Sequence, residues 1–260
     1  MSLSIRHGLV CLLAAGAGVS GVGAAAIHHR RDAIDHDAVV GFPETVPAGA
    51  VGELYEKFKP FLKVESGCVP FPAVDAQGNT NAGLNPSGTS TGDCDSSPGQ
   101  IYVRGGTPAN ANATSSSSTT PSYAIMYSWY MPKDSPSTGL GHRHDWEGVV
   151  VWLGGDPSSP ATAQLLGVAA SGHGGYETRT DAPVDEDGTR TRPLIRYYNV
   201  FPVNHQTGFT SEVGGEQPMV AWESLPDAAR RALQEADFGS GNVPFKDGNF
   251  EENLAKAALS

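Results

Sequence analysis

Four side chains that could bind a metal ion lie close together in the middle of the chain. The segment Gly141 to Glu147 contains His142, Asp145 and Glu147, and Asp134 precedes it. Three carboxylates and one imidazole suit a hard divalent cation, Mg, Ca or Mn, better than zinc. The spacing is not that of an HExxH motif, and no helix is indicated here. The alternative is that these are solvated polar residues at the rim of a loop.

Two predicted strands would position these side chains. Tyr123 to Met131 alternates large side chains on both faces, which indicates a central strand; Pro132 is expected to stop it and to leave Asp134 just beyond its end. The next strand, Glu147 to Leu153, is rich in β-branched residues and is closed by a Gly-Gly turn signal. The two strands are therefore expected to deliver the four side chains from adjoining ends.

The alternation of side chains along a strand constrains which of them can meet. Asp145 and Glu147 share one face of the predicted strand, whereas His144 falls on the other. His142 has the wrong parity to join the carboxylates if the strand already runs through it. It is predicted to reach them from the loop Pro136 to Gly141, which its Pro and Gly residues permit. His144 and Arg143 are expected to hold that loop by hydrogen bonds.

The remaining pattern indicates many short strands and a few peripheral helices. Helices are predicted over 51–58, where Val51, Leu54, Tyr55 and Phe58 form one apolar face, after Ser224 as a cap, and over about 250–259. Further strands are expected at 101–104, 163–171 and 194–203. Trp129, Trp146 and Trp152 are predicted to lie in the core. His173 could contact a ligand, and a histidine buried in a Gly-rich turn is the alternative.

Composition favours one β-rich domain and excludes some partners. The 260 residues include 32 Gly and 19 Pro, and 28 acidic residues stand against 17 basic ones. This balance argues against nucleic acid and against direct attraction to anionic lipid, since both need clustered Lys and Arg. An acidic protein that meets an acidic headgroup needs a bound cation as mediator, which the proposed ion site would supply.

The N-terminus and the cysteines indicate export. Residues 1–26 are typical of a secretory signal peptide, with possible dibasic processing at Arg30-Arg31, and residues 32–260 would form the mature domain. Cys68 and Cys94 would then form a disulfide, with two free buried thiols as the alternative. The Ser/Thr-rich composition of residues 105–122 predicts a mobile surface loop, which contains an N-glycosylation acceptor at Asn112.

The segment AIMYSWYMPKDSPSTGLGHRHDWE, Ala124 to Glu147, closely resembles the signature of the necrosis- and ethylene-inducing-peptide-like proteins, whose heptapeptide is GHRHDWE. Other stretches resemble the same family: 34–37, 66–84, 172–176, 201–206 and 236–257. The resemblance implies a mainly β fold with flanking helices, a single-domain β-sandwich with peripheral α-helices. It also implies the single-disulfide type.

The activity implied by the resemblance is that of a secreted, extracellular cytolysin and virulence factor. Such proteins bind plant plasma-membrane sphingolipid headgroups, the glycosylinositol phosphorylceramides, permeabilise the membrane and trigger plant immunity. By motif match the cation ligands fall on Asp134, His142, Asp145 and Glu147, and Mg or Ca is the expected ion. Asn204 and His205 are the candidates for headgroup contact, with Phe201 standing where some relatives carry Trp. A monomer that binds no nucleic acid is expected.

Two other classes of function stay open. The four metal ligands could serve a hydrolase, with His144 or His205 as general base, although the sequence offers no nucleophile motif. The protein could instead be a non-cytolytic member, acting in attachment or development or only as a pattern that plants detect. In the family, plant receptor-like immune receptors sense the segment 124–147 as a peptide, which requires no folded site.

Overall fold

A computed structural model describes residues 32–109, 119–137, 139–186 and 190–259. The predicted signal peptide, the dibasic pair and Asn112 lie outside these residues. The strands are β1 Ala33–Ile34, β2 Phe61–Val64, β3 Thr80–Asn81, β4 Ile101–Gly106, β5 Tyr123–Asp134, β6 His142–Gly154, β7 Gln164–Gly172, β8 Gly175–Arg179, β9 Leu194–Val200, β10 Asn204–Phe209 and β11 Met219–Ala221. The helices are α1 Ala50–Lys57, α2 Asp227–Glu235 and α3 Asn249–Lys256.

Two sheets pack face to face around the long hairpin of β5 and β6. The larger sheet has the strand order β11-β4-β5-β6-β7-β8, and the smaller has the order β10-β9-β2. The smaller sheet covers the face that carries Asp145, whose carboxylate accepts a hydrogen bond from Tyr197. On the other face Trp146 packs against Phe238 and Phe245, which lie between α2 and α3. The predicted β-sandwich with peripheral helices is therefore confirmed.

The core contains the tryptophans that the sequence assigned to it. Trp129, Trp146 and Trp152 are all buried. Trp152 donates its indole N–H to the carbonyl of Ala257, just after α3, so that helix is fixed to the sheet. Within the described part of the chain, none of the helices is long and apolar enough to span a bilayer.

Strand β5 continues through Pro132, so the predicted stop at that residue is wrong. The carbonyl of Pro132 accepts a hydrogen bond from the backbone N–H of Leu84 at 2.8 Å. The hydrogen-bonding side of the Pro132 backbone therefore faces away from β6. A proline ring therefore removes no hydrogen bond from the β5–β6 ladder. As a result Lys133 and Asp134 pair with Arg143 and His142, and the ligand residues lie inside the hairpin.

Three other boundaries differ from the sequence predictions. The predicted strand 194–203 ends at Val200, and residues 204–209 form a further strand, β10, that pairs back on β9. Ser224 does not cap a helix: α2 begins at Asp227, and Pro226 at its N-cap makes no side-chain cap bond. Residues 105 and 106 of the predicted surface loop belong to β4. Helix α1 is confirmed.

The irregular segment before β4 is fixed at several points. Cys68 and Cys94 form the predicted disulfide, 26 residues apart in sequence. The buried ammonium of Lys133 donates to the carbonyls of Ser87 and Thr89 at 3.3 and 3.0 Å. The guanidinium of Arg143 donates to two further carbonyls of this segment. These bonds attach the disulfide loop to the end of the β5–β6 hairpin.

Replacing both Cys68 and Cys94 with Ala is expected to lower the free energy of unfolding by about 3–4 kcal/mol, because the open chain regains the entropy that the disulfide removes from the unfolded state. Urea denaturation followed by tryptophan fluorescence measures this change. The wild-type protein in reductant serves as a chemical control and should lose a similar amount. A loss below about 1 kcal/mol in both would contradict the entropic role assigned to the bond.

Candidate functional site

The four proposed ligands lie together at one end of the β5–β6 hairpin. Asp134 pairs opposite His142, and Met131 pairs opposite Asp145. The strand does run through His142, so its predicted delivery from the loop is wrong. His144 has a backbone φ of 62°, in the left-handed region, and this conformation interrupts the alternation of side chains. His142, Asp145 and Glu147 consequently line one groove.

Asp134 is fixed by the neighbouring sheet and keeps one oxygen unpaired. Its carboxylate Oδ1 accepts hydrogen bonds from the Nδ1–H of His205 at 2.7 Å and from the backbone N–H of the same residue at 3.1 Å. Its Oδ2 is buried and has no hydrogen-bond partner. Nε2 of His142 is 3.6 Å away from it. A buried carboxylate oxygen in this state needs a cation, a proton or a water molecule.

Asp145 and Glu147 are crowded buried carboxylates. The hydroxyl of Tyr197 donates to Oδ2 of Asp145 at 2.7 Å, and the hydroxyl of Ser171 donates to Glu147. Burial, followed by the charge of Asp134, raises the pKa of Asp145 to about 6. Burial and the charge of Asp145 raise the pKa of Glu147 well above its usual value. The cluster thus concentrates negative charge that its hydrogen bonds only partly offset.

His142 is oriented in the way that metal-binding histidines are. Its Nδ1 lies 2.8 Å from the carbonyl oxygen of His144, which can only accept a hydrogen bond. Nδ1 therefore carries a proton, and Nε2 is directed toward Oδ2 of Asp134, 3.6 Å away. A backbone carbonyl that fixes the tautomer of a histidine is a common second partner in metal sites.

The donor set fits a hard cation, although the four proposed ligand side chains do not surround a single common position. Among the described residues, no group of three or more His, Cys, Asp or Glu side chains has the geometry of a preformed metal cluster. The unpaired Oδ2 of Asp134 and the raised pKa of Asp145 both favour an added positive charge.

The three residues proposed for headgroup contact have different environments. Asn204 lines the groove, and its Oδ1 is buried without a partner. His205 is fully buried, its ring stacked on Tyr197 with 5.2 Å between centroids. In this structure it supports Asp134 instead of facing a ligand. Phe201 is 72% exposed at the turn between β9 and β10, where Val203 is 57% exposed.

The groove itself is a cleft of about 360 Å³ that runs along the end of β6. One wall is the turn of the β7–β8 hairpin, where His173 and Tyr176 lie, and the opposite wall comes from residues 240–244 and α3. His173 is exposed at the rim, as its proposed ligand contact requires. A volume of this size falls within the range of small-ligand pockets, about 300–1,000 Å³.

Several residues that support the site belong to no recognisable sequence motif. Tyr197 and Ser171 donate to the acidic cluster. Thr207 connects β10 to β6 and β7 through the carbonyls of Gly148 and Ser171, at 3.1 and 2.9 Å. Each lies on a strand that sequence reasoning either predicted without a role or missed. The only local signal was the position of Ser171 at the end of a predicted strand.

Comparison with known proteins points to one family. The family described as necrosis inducing protein (NPP1) matches residues 52–257. NLP effector protein 10 of Phytophthora capsici is 46% identical over 230 residues, which cover 88% of this chain and 92% of the relative. Necrosis-inducing protein NPP1 of Phytophthora nicotianae is 42% identical over 232 residues, with the same two coverages of 88% and 92%.

Solved structures agree with these relatives. NLPPya in complex with mannosamine is 46% identical, with a TM-score of 0.75 over 88% of this chain and 100% of that one. The non-toxic HaNLP3 protein is 38% identical, with a TM-score of 0.76 over 86% and 98% of the two chains. The resemblance inferred from the sequence is confirmed, and the fold is shared by proteins with and without toxicity.

Replacing Asp145 with Asn is expected to raise the free energy of unfolding in the presence of a chelator by about 1–3 kcal/mol, because it removes one charge from a buried, mutually repelling set. Chemical denaturation at neutral pH measures the effect. Asp156→Asn, at an exposed turn, is the matched control and should change stability by less than about 0.5 kcal/mol. A destabilised Asp145→Asn variant would show that the carboxylate is already compensated by its protein partners.

Proposed function

The chain belongs to the necrosis-inducing protein (NPP1) family, and on that premise we propose that it is a secreted, cation-dependent cytolysin of plant cells. It binds the sugar headgroups of plasma-membrane sphingolipids, the glycosylinositol phosphorylceramides, and makes the bilayer leak. The observation that carries this proposal is a buried acidic cluster that opens into a polar groove beside an exposed apolar turn. No covalent step is involved, so the site serves binding.

Sugar binding has support from two structures of one relative. NLPPya has been solved with mannosamine and with glucosamine, at 46% and 45% identity to this chain. Amino sugars carry a positive charge and several hydroxyls, which match a groove lined by carboxylates. In this chain Asn204 lines the groove and its Oδ1 is unpaired, and an amide oxygen can accept a hydrogen bond from a sugar hydroxyl.

The cation, Mg or Ca, would be held by Asp134, His142, Asp145 and Glu147. When bound, it neutralises the cluster and offers ligand positions to sugar oxygens of an anionic headgroup. Tyr197 and Ser171 hold Asp145 and Glu147 by hydrogen bonds, and His205 holds Asp134. These three contacts hold the three carboxylates in place.

Contact with the bilayer would come from apolar side chains near the site. Phe201 and Val203 project from the β9–β10 turn, and Leu140, in the loop between β5 and β6, is 50% exposed. The two loops are joined, since the side-chain amide of Asn199 donates to the carbonyl of Pro136 at 2.9 Å. Phe201 retains an aromatic ring at the position where some relatives carry Trp, so it can enter the interfacial region of a membrane.

A non-cytolytic role is the second candidate, favoured by the similarity to the non-toxic HaNLP3 protein. The segment 124–147 could then act as an immune pattern. All twelve residues of β5 are buried, so the folded protein does not display the first half of this segment. Recognition of the peptide by a plant receptor-like immune receptor would require prior proteolysis or unfolding.

The positions of the two proposed general bases, His144 and His205, do not favour the hydrolase alternative. His205 is buried and hydrogen-bonded to Asp134, and His144 is buried against Tyr130, whose hydroxyl is 2.6 Å from its Nδ1. Burial lowers the pKa of His144 to about 4. Neither imidazole is placed to take a proton from a substrate in the groove. Release of a free headgroup from sphingolipid would nevertheless identify turnover directly.

Dye release from vesicles made of plant plasma-membrane lipids tests the main proposal. Wild-type protein should cause leakage that EDTA abolishes, and Asp145→Ala should cause none, because the cation loses a ligand. Asp145→Asn repeats the test with a side chain of the same size, and Asp156→Ala, at an exposed position, should lyse as the wild type does. Leakage by a folded Asp145→Ala variant would refute cation dependence, and no leakage by the wild type would support the non-cytolytic role.

Replacing Val203 with Ser is expected to reduce vesicle leakage severalfold, because it removes apolar surface from the turn beside the site. Binding of glucosamine should be unchanged, which separates membrane contact from sugar binding. Val213→Ser is the matched control, since Val213 is 62% exposed in a different loop. Equal leakage by the two variants would remove the β9–β10 turn from the proposed membrane contact.

A further inference from the structure

The side chain of His144 holds the left-handed backbone of the same residue in place. The imidazole is buried, and its ring packs edge-on against Phe238, with 5.1 Å between centroids. The backbone of Gly83 also lies against the ring, since an added Cβ there would come within 2.6 Å of two imidazole atoms. The imidazole Nδ1 is 2.6 Å from the hydroxyl of Tyr130. A change in the backbone angle of His144 would move the ring out of these contacts.

The direction of each hydrogen bond to the ring follows from Asn81, which is buried beside Tyr130. The Nδ2 of Asn81 donates to the carbonyls of Pro72 and His36, at 2.9 and 3.1 Å, and carbonyls can only accept. The other amide atom, Oδ1, is therefore an acceptor, and the hydroxyl of Tyr130 donates to it at 3.2 Å. Because this uses the only hydroxyl proton, the Tyr130 oxygen accepts from the Nδ1–H of His144.

This chain of hydrogen bonds ends at the proposed cation site. The carbonyl of His144 accepts the Nδ1–H of His142 at 2.8 Å, and the φ of 62° at His144 places His142 in the same groove as the carboxylates of β6. A residue with a Cβ adopts this region only at a cost in free energy, so contacts must stabilise it. Tyr130 and Asn81 supply such contacts, and neither is among the described residues that line the groove.

We propose that Asn81 and Tyr130 are positioning residues of the cation site. Neither forms a hydrogen bond with any of the four proposed ligands. They hold His144 in its left-handed conformation, and that conformation sets the position and the tautomer of His142. Removing a partner that orients a metal ligand typically lowers metal affinity by about 10- to 100-fold. This inference rests on the proposed cation binding and adds two residues on which that binding depends.

Tyr130→Phe tests this role because it removes the hydroxyl and keeps the ring. Titration calorimetry of the full mature chain with Mg²⁺ and with Ca²⁺ should show binding about tenfold weaker than in the wild type. Tyr127→Phe is the matched control, since Tyr127 is buried on the same strand and its hydroxyl donates to the carbonyl of Tyr55 at 2.7 Å. The control should lose a similar amount of thermal stability and bind both ions as the wild type does.

Two substitutions at His144 separate the backbone conformation from side-chain packing. His144→Ala and His144→Gly both remove the imidazole, but only Gly adopts a positive φ without strain. The Gly variant should therefore keep a severalfold higher cation affinity than the Ala variant. In the Gly variant, Tyr130→Phe should have no further effect, because Tyr130 acts through the imidazole. Equal losses in the Ala and Gly variants would show that the ring acts by packing alone.

A second readout needs no bound ion. Nitrogen-15 NMR in a chelator and mildly alkaline buffer, where imidazoles are ordinarily neutral, reports the tautomer of His142. Wild-type protein and Tyr127→Phe should both show the Nδ1–H form. Tyr130→Phe should show a mixture of the two tautomers, because the His144 carbonyl is no longer held in place. A pure Nδ1–H form in Tyr130→Phe would contradict the proposed link.

The outcomes separate the positioning role from the cation site itself. If Tyr130→Phe binds both ions as tightly as the wild type, or if Tyr127→Phe weakens binding equally, the positioning role is refuted while the cation site stands. If a folded wild-type protein binds neither ion, the proposed cation site fails, and the positioning role fails with it.

Discussion

Burying several like charges in one β-hairpin is the constraint that shapes this protein. Asp134, Asp145 and Glu147 are each at least nine-tenths buried, where isolated carboxylates are strongly destabilised. Each is compensated by a donor from a different strand: His205 on β10, Tyr197 on β9 and Ser171 on β7. The second sheet must therefore pack against the hairpin, and the sandwich is also the support of the site.

The compensation is incomplete, and the remaining negative charge would favour a bound cation at the proposed site. One oxygen of Asp134 has no partner, and the pKa of Asp145 is raised by its neighbours. A protein that only needed stability would place apolar side chains here, since replacing buried ion pairs by apolar residues is often neutral or favourable. Retaining three carboxylates is consistent with a binding role that stability does not explain.

The surroundings of the cluster combine rigid and adaptable parts. The disulfide loop, Lys133 and Arg143 fix the end of the hairpin on one side. On the other side, the turn at Phe201 exposes apolar surface and is joined to the 135–141 loop through Asn199. A polar groove with an apolar rim suits a ligand that has a sugar portion in water and a lipid portion in a bilayer.

The sequence by itself identified the family and predicted which residues form the candidate site. The segment Gly141–Glu147, with Asp134 before it, predicted the donor set, and Cys68 and Cys94 predicted the disulfide that the structure contains. Periodicity located helix α1 and the central strands because their side chains meet apolar surroundings at a regular spacing. These features depend on residue type and short-range spacing, so a single chain is enough to recognise them.

Tertiary structure alone decided how those residues are arranged. Alternation along a strand predicted the wrong parity for His142, because the left-handed backbone of His144 breaks the period and Pro132 lies where no ladder bond is lost. The donors to the cluster lie 24 to 71 residues away in sequence, on strands whose own patterns show only burial. Contacts between distant strands follow from how two sheets pack, and no local pattern encodes that packing.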